Sequence, residues 1–372
     1  MSAVSYHLGA FPPDVLDWSR LVPLIGPANA AVARYSGLLE GIPNPDVLLS
    51  PMTTQEAVLS SRIEGTQATM GEVLELEAES PAFEENTPKR TDIREVLNYR
   101  AALNEAIRLM RNLPLSERLI RATHRVLMQG VRGRTKDPGE YRRIPNWIGP
   151  DGCAVEQARF VPIDAGRLPQ AMQAWERYLH SDAPDLLVQL ALVHAEFEAV
   201  HPFLDGNGRL GRLIIPLFLH SRGILSRPSF YLSEYLERHR DEYYARLLAI
   251  SRDGDWTGWV GFFLTALTQQ ASVNQNRVQA ILRLYQQRKN WIAAETHSQY
   301  GVRALDWIFQ KPLFKSSDFR DTAGIPPPTA LRILRICRDG HMLRELRQGT
   351  GRRPAILCFP ELLNIAEGRD AF

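Results

Sequence analysis

The sequence predicts a mainly all-α protein with one small β-hairpin flap and a C-terminal winged helix-turn-helix, on three observations. Helix start and stop signals with apolar periodicity recur from the N-terminal third to about residue 294. Strand-prone runs bracketed by Pro and Gly are confined, before the tail, to YRRIPNWIGPDGCAVEQARFVPI. The last 70 or so residues change to short helices followed by two short strands around QGTGRR.

After a Pro-rich opening, TTQEAVLSSRIEG pairs Thr53 with Glu56 as a capping box and ends a helix at Glu64 before Gly65. Thr69 with Glu72 opens the next helix, and SPAFEENTPKR is a polar connection to a helix over about Thr91 to Arg111. Helices are then expected in SERLIRATHRVLMQGV, LPQAMQAWERYL and DLLVQLALVHAEFEAV. In the last, Leu186, Leu190, Val193, Phe197 and Val200 form one apolar stripe. The turn HPFLDGNGR leads into LGRLIIPLFLHSRG, and two long helices follow, SEYLERHRDEYYARLLAI and Trp256 to about Ala294. In the tail, SSDFRDTAG and IPPPTALRILRICRDG read as a helix pair, with HMLREL and PAILCF as strands. The expected domains are an N-terminal helical module (1–112), a catalytic core with its following long helix (113–295) and the winged helix-turn-helix (296–372).

Composition narrows the function classes. With 44 Lys and Arg against 42 Asp and Glu, the net charge of +2 argues against wholesale binding to nucleic acid or anionic membrane. The basic excess is local: Lys311 to Pro354 holds ten Lys or Arg against four Asp or Glu. Three cysteines without a C-x-x-C pair give neither a disulfide framework nor a cysteine zinc site, and suit a reducing cytosol. The N-terminus lacks a basic start and a continuous apolar stretch, and the longest apolar run is broken at Pro216. A cytoplasmic protein with no membrane partner is expected.

The densest chemistry lies in HPFLDGNGRLGR, His201 to Arg212. Gly206 and Gly208 permit backbone conformations closed to other residues just before a helix, so N–H groups can converge on an anion. Arg209 and Arg212, three apart, can act on two phosphates of one polyphosphate. Asp205 supplies a hard oxygen for Mg2+. His201, with an ordinary pKa of ~6.5, can take a proton from an attacking hydroxyl. The run matches neither a G-x-x-x-x-G-K-[ST] loop nor a G-x-G-x-x-G turn, and His194, Glu198 and His201 lack the H-E-x-x-H spacing of a zinc hydrolase.

HPFLDGNGRLGR fills every fixed position of H-P-F-x-[DE]-G-N-G-R-x-x-R and so resembles the signature of the Fic family, a likeness that spans roughly residues 115 to 270. The resemblance implies an all-helical core with a hairpin flap, and transfer of AMP from ATP to a Ser, Thr or Tyr hydroxyl of a protein. It further implies His201 as catalytic base, Asp205 as Mg2+ ligand, and an ATP site of Gly206, Asn207, Gly208, Arg209, Leu210, Gly211 and Arg212. Within it, Arg209 would hold the diphosphate and Arg212 the γ-phosphate. Tyr244 is similar to a family position against the adenine, while an Asn found seven residues later in some relatives is Ser251 here. The flap, Asn146 to Ile148 with Arg159, Phe160 and Val161, would take up an extended target segment at its strand edge.

Ser60 and Glu64 in SSRIEG resemble the family's inhibitory motif, [ST]-x-x-x-E-[GN]. Glu64 is then expected to pair with Arg212 where the γ-phosphate belongs, holding the enzyme back. Two other readings stay open: removal of AMP from a modified protein in the same site, and a DNA-binding regulator in which IPPPTALRILRICRDG enters the major groove while Arg352 and Arg353 touch phosphates. The partners expected are ATP, a hydroxyl-bearing protein target (the chain itself included) and, through the tail, DNA; a homodimer is left open.

Overall fold

The computed structural model describes residues 3–79, 87–131, 136–150, 152–350 and 353–372. Arg352 and most of the polar connection after Glu79 lie outside the described residues. In chain order the elements are β1 (Val4–Ser5), α1 (Trp18–Glu40), α2 (Pro45–Leu48), α3 (Ser50–Ile63), α4 (Met70–Glu79), α5 (Pro88–Met110) and α6 (Glu117–Leu127). The core continues with β2 (Phe160–Val161), α7 (Leu168–His180), α8 (Leu186–Val200), α9 (Asn207–Ser221), α10 (Ser233–Arg238), α11 (Arg240–Asp253) and α12 (Trp256–Thr296). The tail holds α13 (Gly301–Gln310), β3 (Leu313–Lys315), α14 (Ser316–Thr322), α15 (Pro327–Asp339), β4 (Arg344–Arg347), β5 (Ile356–Cys358) and α16 (Pro360–Glu367). The chain is therefore mainly helical, with only small sheets.

Two compact units emerge, one of residues 1–40, 59–66 and 97–272, the other of 41–58, 67–96 and 273–372. At the centre of the first stands α8. Asp185 caps it, accepting from the N–H groups of Leu187 and Val188 at 2.9 Å each. The sequence predicts an apolar stripe here, but α8 is buried on nearly every face, because α1, α7, α9 and α11 all pack on it. Two indoles fix its carbonyls: Trp175 donates to Val193 at 2.9 Å and Trp259 to Ala191 at 2.8 Å. A helix so enclosed can carry a catalytic group at its C-terminus with little positional freedom.

Three local expectations change. The helix bearing Ser60 begins at Ser50, three residues before the predicted cap, and the Thr53 hydroxyl donates back to the Leu49 carbonyl at 3.3 Å. The single helix predicted from Ser233 is two, α10 and α11, parted at His239, whose ψ of 34° leaves the helical region. The flap is a minimal hairpin joined through the Ile148–Phe160 bridge, and β1 adds a parallel strand to β2, a pairing no local signal announced.

In the second unit, α4 carries the predicted capping box in full. The Glu72 N–H donates to Thr69 Oγ1 at 3.3 Å, and the Thr69 N–H donates to Glu72 Oε2 at 3.0 Å. β5 runs between β3 and β4, antiparallel to both. Packed on this sheet is α4, and α14 lies against α15.

Candidate active site

His201 caps α8 in the left-handed region, φ 49° and ψ 62°, a conformation unfavourable for a side-chain-bearing residue. A buried cation holds it there. The Arg142 guanidinium donates to the His201 carbonyl at 2.9 Å, to the Val200 carbonyl at 3.3 Å and to the Ile163 carbonyl, while the Arg142 N–H donates to Pro202 at 3.0 Å. One side chain thus ties the flap to the start of the motif.

The imidazole itself has a defined tautomer. Nδ1 of His201 lies 3.2 Å from the Glu198 carbonyl, which can only accept, so Nδ1 carries the hydrogen and Nε2 presents a lone pair. Burial lowers the His201 pKa to about 4, outweighing the opposite pull of the Glu198 carbonyl and of Glu64. Near neutral pH the ring is uncharged and able to receive a proton.

After His201 the chain turns through Pro202–Gly206 into α9. Asn207 closes the turn from both sides: its Nδ2 donates to the Phe203 carbonyl and its Oδ1 accepts from the Phe203 N–H, each at 2.8 Å. His124 braces it from beneath. The Gly139 N–H donates to His124 Nδ1 at 2.8 Å, so Nε2 holds the proton and donates to the Asp205 carbonyl at 2.9 Å, and the ring stacks on Phe203 at 3.8 Å. Gly206, at φ 77°, makes the bend; a Cβ there would also strike the Met128 sulfur. Beyond it α9 presents the first-turn N–H groups of Asn207 and Gly208, which have no carbonyl one turn back to bond within the helix.

A carboxylate occupies that cradle. Arg212, 2% exposed, donates from Nη2 to Glu64 Oε1 at 2.6 Å and to the Ser60 carbonyl at 2.9 Å, and from Nε to Ser60 Oγ at 2.9 Å. A Cβ on Gly208 would collide with the same Glu64 oxygen. Partial burial tends to raise the Glu64 pKa, but the charge and hydrogen bond of Arg212, with help from Arg209 and His201, bring it below the ordinary carboxylate range. Burial likewise disfavours the Arg212 charge, and Glu64 more than restores it.

Asp205 is 30% exposed beside this cradle, with Oδ1 accepting from the Gly206 N–H at 2.6 Å and Oδ2 3.6 Å from Lys136 Nζ. No group of three His, Cys, Asp or Glu side chains able to hold a metal occurs among the described residues. A lone carboxylate next to an anion cradle fits Mg2+, which takes one or two carboxylates and fills its remaining positions with phosphate oxygens and water.

The other predicted residues separate into two groups. Tyr244 is half-buried against the end of the Ser60 helix, its hydroxyl donating to the Ile63 carbonyl at 3.5 Å, and burial followed by the Glu64 charge pushes its pKa to about 12. Leu210 is fully buried core, and Gly211 backs onto Glu198 and Phe197 while its carbonyl accepts from His194 Nδ1 at 3.1 Å. Both serve the packing of α9. Ser251 is engaged by His7, Oγ to Nδ1 2.6 Å. Around Arg159–Val161 both backbone edges are taken: Ile148 bonds one side, and on the other Val4 donates to the Arg159 carbonyl at 3.2 Å and Tyr6 to that of Val161 at 2.9 Å. The remaining outward edge is that of Trp147, among the exposed apolar side chains Ile144, Trp147, Ile148 and Val155.

Arg142 and His124 escaped the sequence reading as functional parts, and Glu198 entered it only beside His194 and His201 in a set that lacks the spacing of a zinc hydrolase. Glu198 lies one turn before His201; burial raises its pKa to about 7, and its Oε1 has no hydrogen-bond partner among the described residues. His194, weighed as a metal ligand, spends both nitrogens on Gly211 and Tyr243.

The sequence matches the Fic/DOC family N-terminal region over residues 22–108 and the Fic/DOC family over residues 114–219, which between them take in the Ser60–Glu64 segment and the whole His201–Arg212 loop. The chain belongs to the Fic/DOC family. Among curated relatives, the protein adenylyltransferase Fic of Drosophila yakuba is 32% identical over 127 residues, 33% of this chain and 22% of that protein. A protein of Aquifex aeolicus named "Probable protein adenylyltransferase" is 24% identical over 185 residues, 48% of this chain and 51% of that one. The chain thus spans at most about half the length of these relatives. A Fic family protein of Desulfovibrio desulfuricans G20 shares the fold with a TM-score of 0.59 at 21% identity, over 94% of this chain and 98% of its own. Fic-1 of C. elegans follows at 0.51 and 18%, over 72% and 76%. Among the described residues no helix is long and apolar enough to cross a membrane.

Proposed function

We propose that this Fic protein transfers AMP from ATP to a Ser, Thr or Tyr hydroxyl of a protein, and that Glu64 restrains it. The observation that carries the reading is the Glu64 carboxylate seated on Arg212 and over Gly208, in the place a phosphate would need. The target hydroxyl gives its proton to Nε2 of His201 as its oxygen bonds to the α-phosphorus. The bond from that phosphorus to the bridging oxygen breaks, and pyrophosphate departs with the electron pair. Arg209 and the α9 N–H groups neutralise the leaving charge, and Arg212 does so once Glu64 withdraws. Mg2+, held at Asp205, would supply further neutralisation of the polyphosphate. Two negative groups at contact distance repel strongly in a partly desolvated cleft, so the inserted carboxylate forces the triphosphate out of alignment.

An extended target segment has the outward edge at Trp147 available, flanked by exposed Ile144 and Ile148. Arg159, Phe160 and Val161 would back that strand rather than meet the target. Incorporation of label from ATP should rise at least about tenfold in Glu64→Gly and vanish in Glu64→Gly/His201→Ala, where the general base is worth about 10²- to 10⁴-fold. Equal incorporation by wild type and Glu64→Gly rules out the restraint; incorporation that survives loss of His201 rules out the transfer chemistry.

The lowered pKa of Glu64 favours a second reading, in which the ionised carboxylate orients water for hydrolysis of an AMP-modified side chain. Release of AMP from a modified target, lost in Glu64→Gly, identifies it; release undiminished in that variant excludes it.

A further inference from the structure

We propose that the C-terminal unit binds duplex DNA through α15, as the groove-entering helix of a winged helix-turn-helix. The order of elements supplies the frame: α13, β3, α14, α15, β4, β5, with the last strand lying between the other two. That arrangement leaves one face of α15 bare. Ala330, Ile333, Leu334 and Cys337 point to the core, while Leu331 is 52% exposed and Arg332 and Arg335 stand on the same outer arc.

Charge decides what fits there. Asp321 is held by Arg320 at 2.6 Å, and Asp339 and Glu345 each lie 3.8 Å from Arg338, so three of the four carboxylates between Lys311 and Pro354 sit beside guanidinium groups other than those two. Arg347 pairs with Glu79. Arg332 and Arg335 take part in no ion pair among the described residues, and Arg353 is exposed at the β4–β5 turn. Two exposed guanidinium groups one helical turn apart, without an ion-pair partner among the described residues, complement a polyanion whose major groove admits a helix. A neutral protein surface would leave both charges uncompensated, whereas phosphates release counterions to them.

The test is fluorescence anisotropy of a short labelled B-form duplex titrated with the full chain, between about 50 and about 200 mM salt. Binding should weaken with salt, and Arg332→Ala/Arg335→Ala should lose at least about tenfold in affinity and flatten the log–log salt slope by roughly 2. Leu331→Glu, a change on the same exposed arc, should weaken binding as well. Absence of wild-type binding at the lower salt overturns the proposal, as does a slope unchanged in the double variant. Equal binding of duplex RNA also overturns it, because the deep, narrow A-form groove excludes a helix. None of these residues belongs to the His201–Arg212 loop or to the Ser60–Glu64 segment, so AMP incorporation in the Glu64→Gly background should be the same with and without them, and failure of DNA binding is distinguishable from failure of transfer.

Discussion

His201 is held in a left-handed backbone conformation that its own side chain disfavours, and Arg142 is what compensates. Its guanidinium donates to several carbonyls, and burial lowers its pKa although the charge of Asp164 pulls the other way. Replacing it by Met removes the donors and leaves the His201 and Val200 carbonyls short of partners. A displacement of about 1 Å at a reacting group can cost on the order of 10²-fold in rate. In the Glu64→Gly background, Arg142→Met is therefore expected to lower kcat by about that factor while ATP affinity, which the proposed function assigns to α9 and the arginines, stays within a few-fold. Single-turnover kinetics beside equilibrium nucleotide binding separates the two; unchanged kcat would show that the turn holds without this clamp.

At the scale of elements, what was legible in the sequence was what neighbours in the chain determine. The α4 capping box needs only Thr69 and Glu72, three residues apart, and it forms as read. The bend of the motif turn rests on Gly206 and Asn207, both within the turn itself. Arg142 was not legible, because its role depends on burial beneath a turn 59 residues away. Nor was the pairing of β1 with β2, since two-residue strands carry no period and the partner lies some 156 positions on. His124 belongs to the same class, reading as one more polar position on a helix until Phe203 stacks on it. The local features make their own prediction. Thr69→Ala should destabilise the second unit by about 1 kcal/mol, seen as an earlier loss of amide protection in α4, with incorporation of label untouched. Protection in α4 equal to that of the unsubstituted chain would show that the box contributes nothing there.

Across the whole molecule, the buried ionisable groups of the first unit make stability depend on pH in a direction that can be worked out. His124, His194 and His201 have pKa values lowered by burial to about 4, about 3 and about 4, against ~6.5 in an unfolded chain. Each contributes stability that is fully present above the unfolded value and is lost as pH falls toward the folded one, because the unfolded chain binds protons the folded chain refuses. The lowered pKa of Glu64 acts in the same direction at more acid pH. Glu198 opposes them: raised by burial to about 7, it favours folding below its unfolded value and loses that contribution as pH climbs through neutrality. Three imidazoles against Glu198, with Glu117 also raised by burial and acting on the same side as Glu198, leave a net of fewer than about two protons between pH ~5 and ~6.5, and each proton is worth roughly 1.4 kcal/mol per pH unit. Urea midpoints should therefore rise steeply over that interval and level off near neutrality. His194 is the cleanest member to remove, since it is fully buried, its nitrogens bond the Gly211 carbonyl and the Tyr243 hydroxyl, and its one nearby carboxylate is Glu198 at 3.9 Å among the described residues. In His194→Gln the slope of stability against pH should shrink by about one proton, even if the variant is less stable at every pH. A slope identical to that of the unsubstituted chain would mean that this ring is not the neutral, proton-refusing group its burial requires.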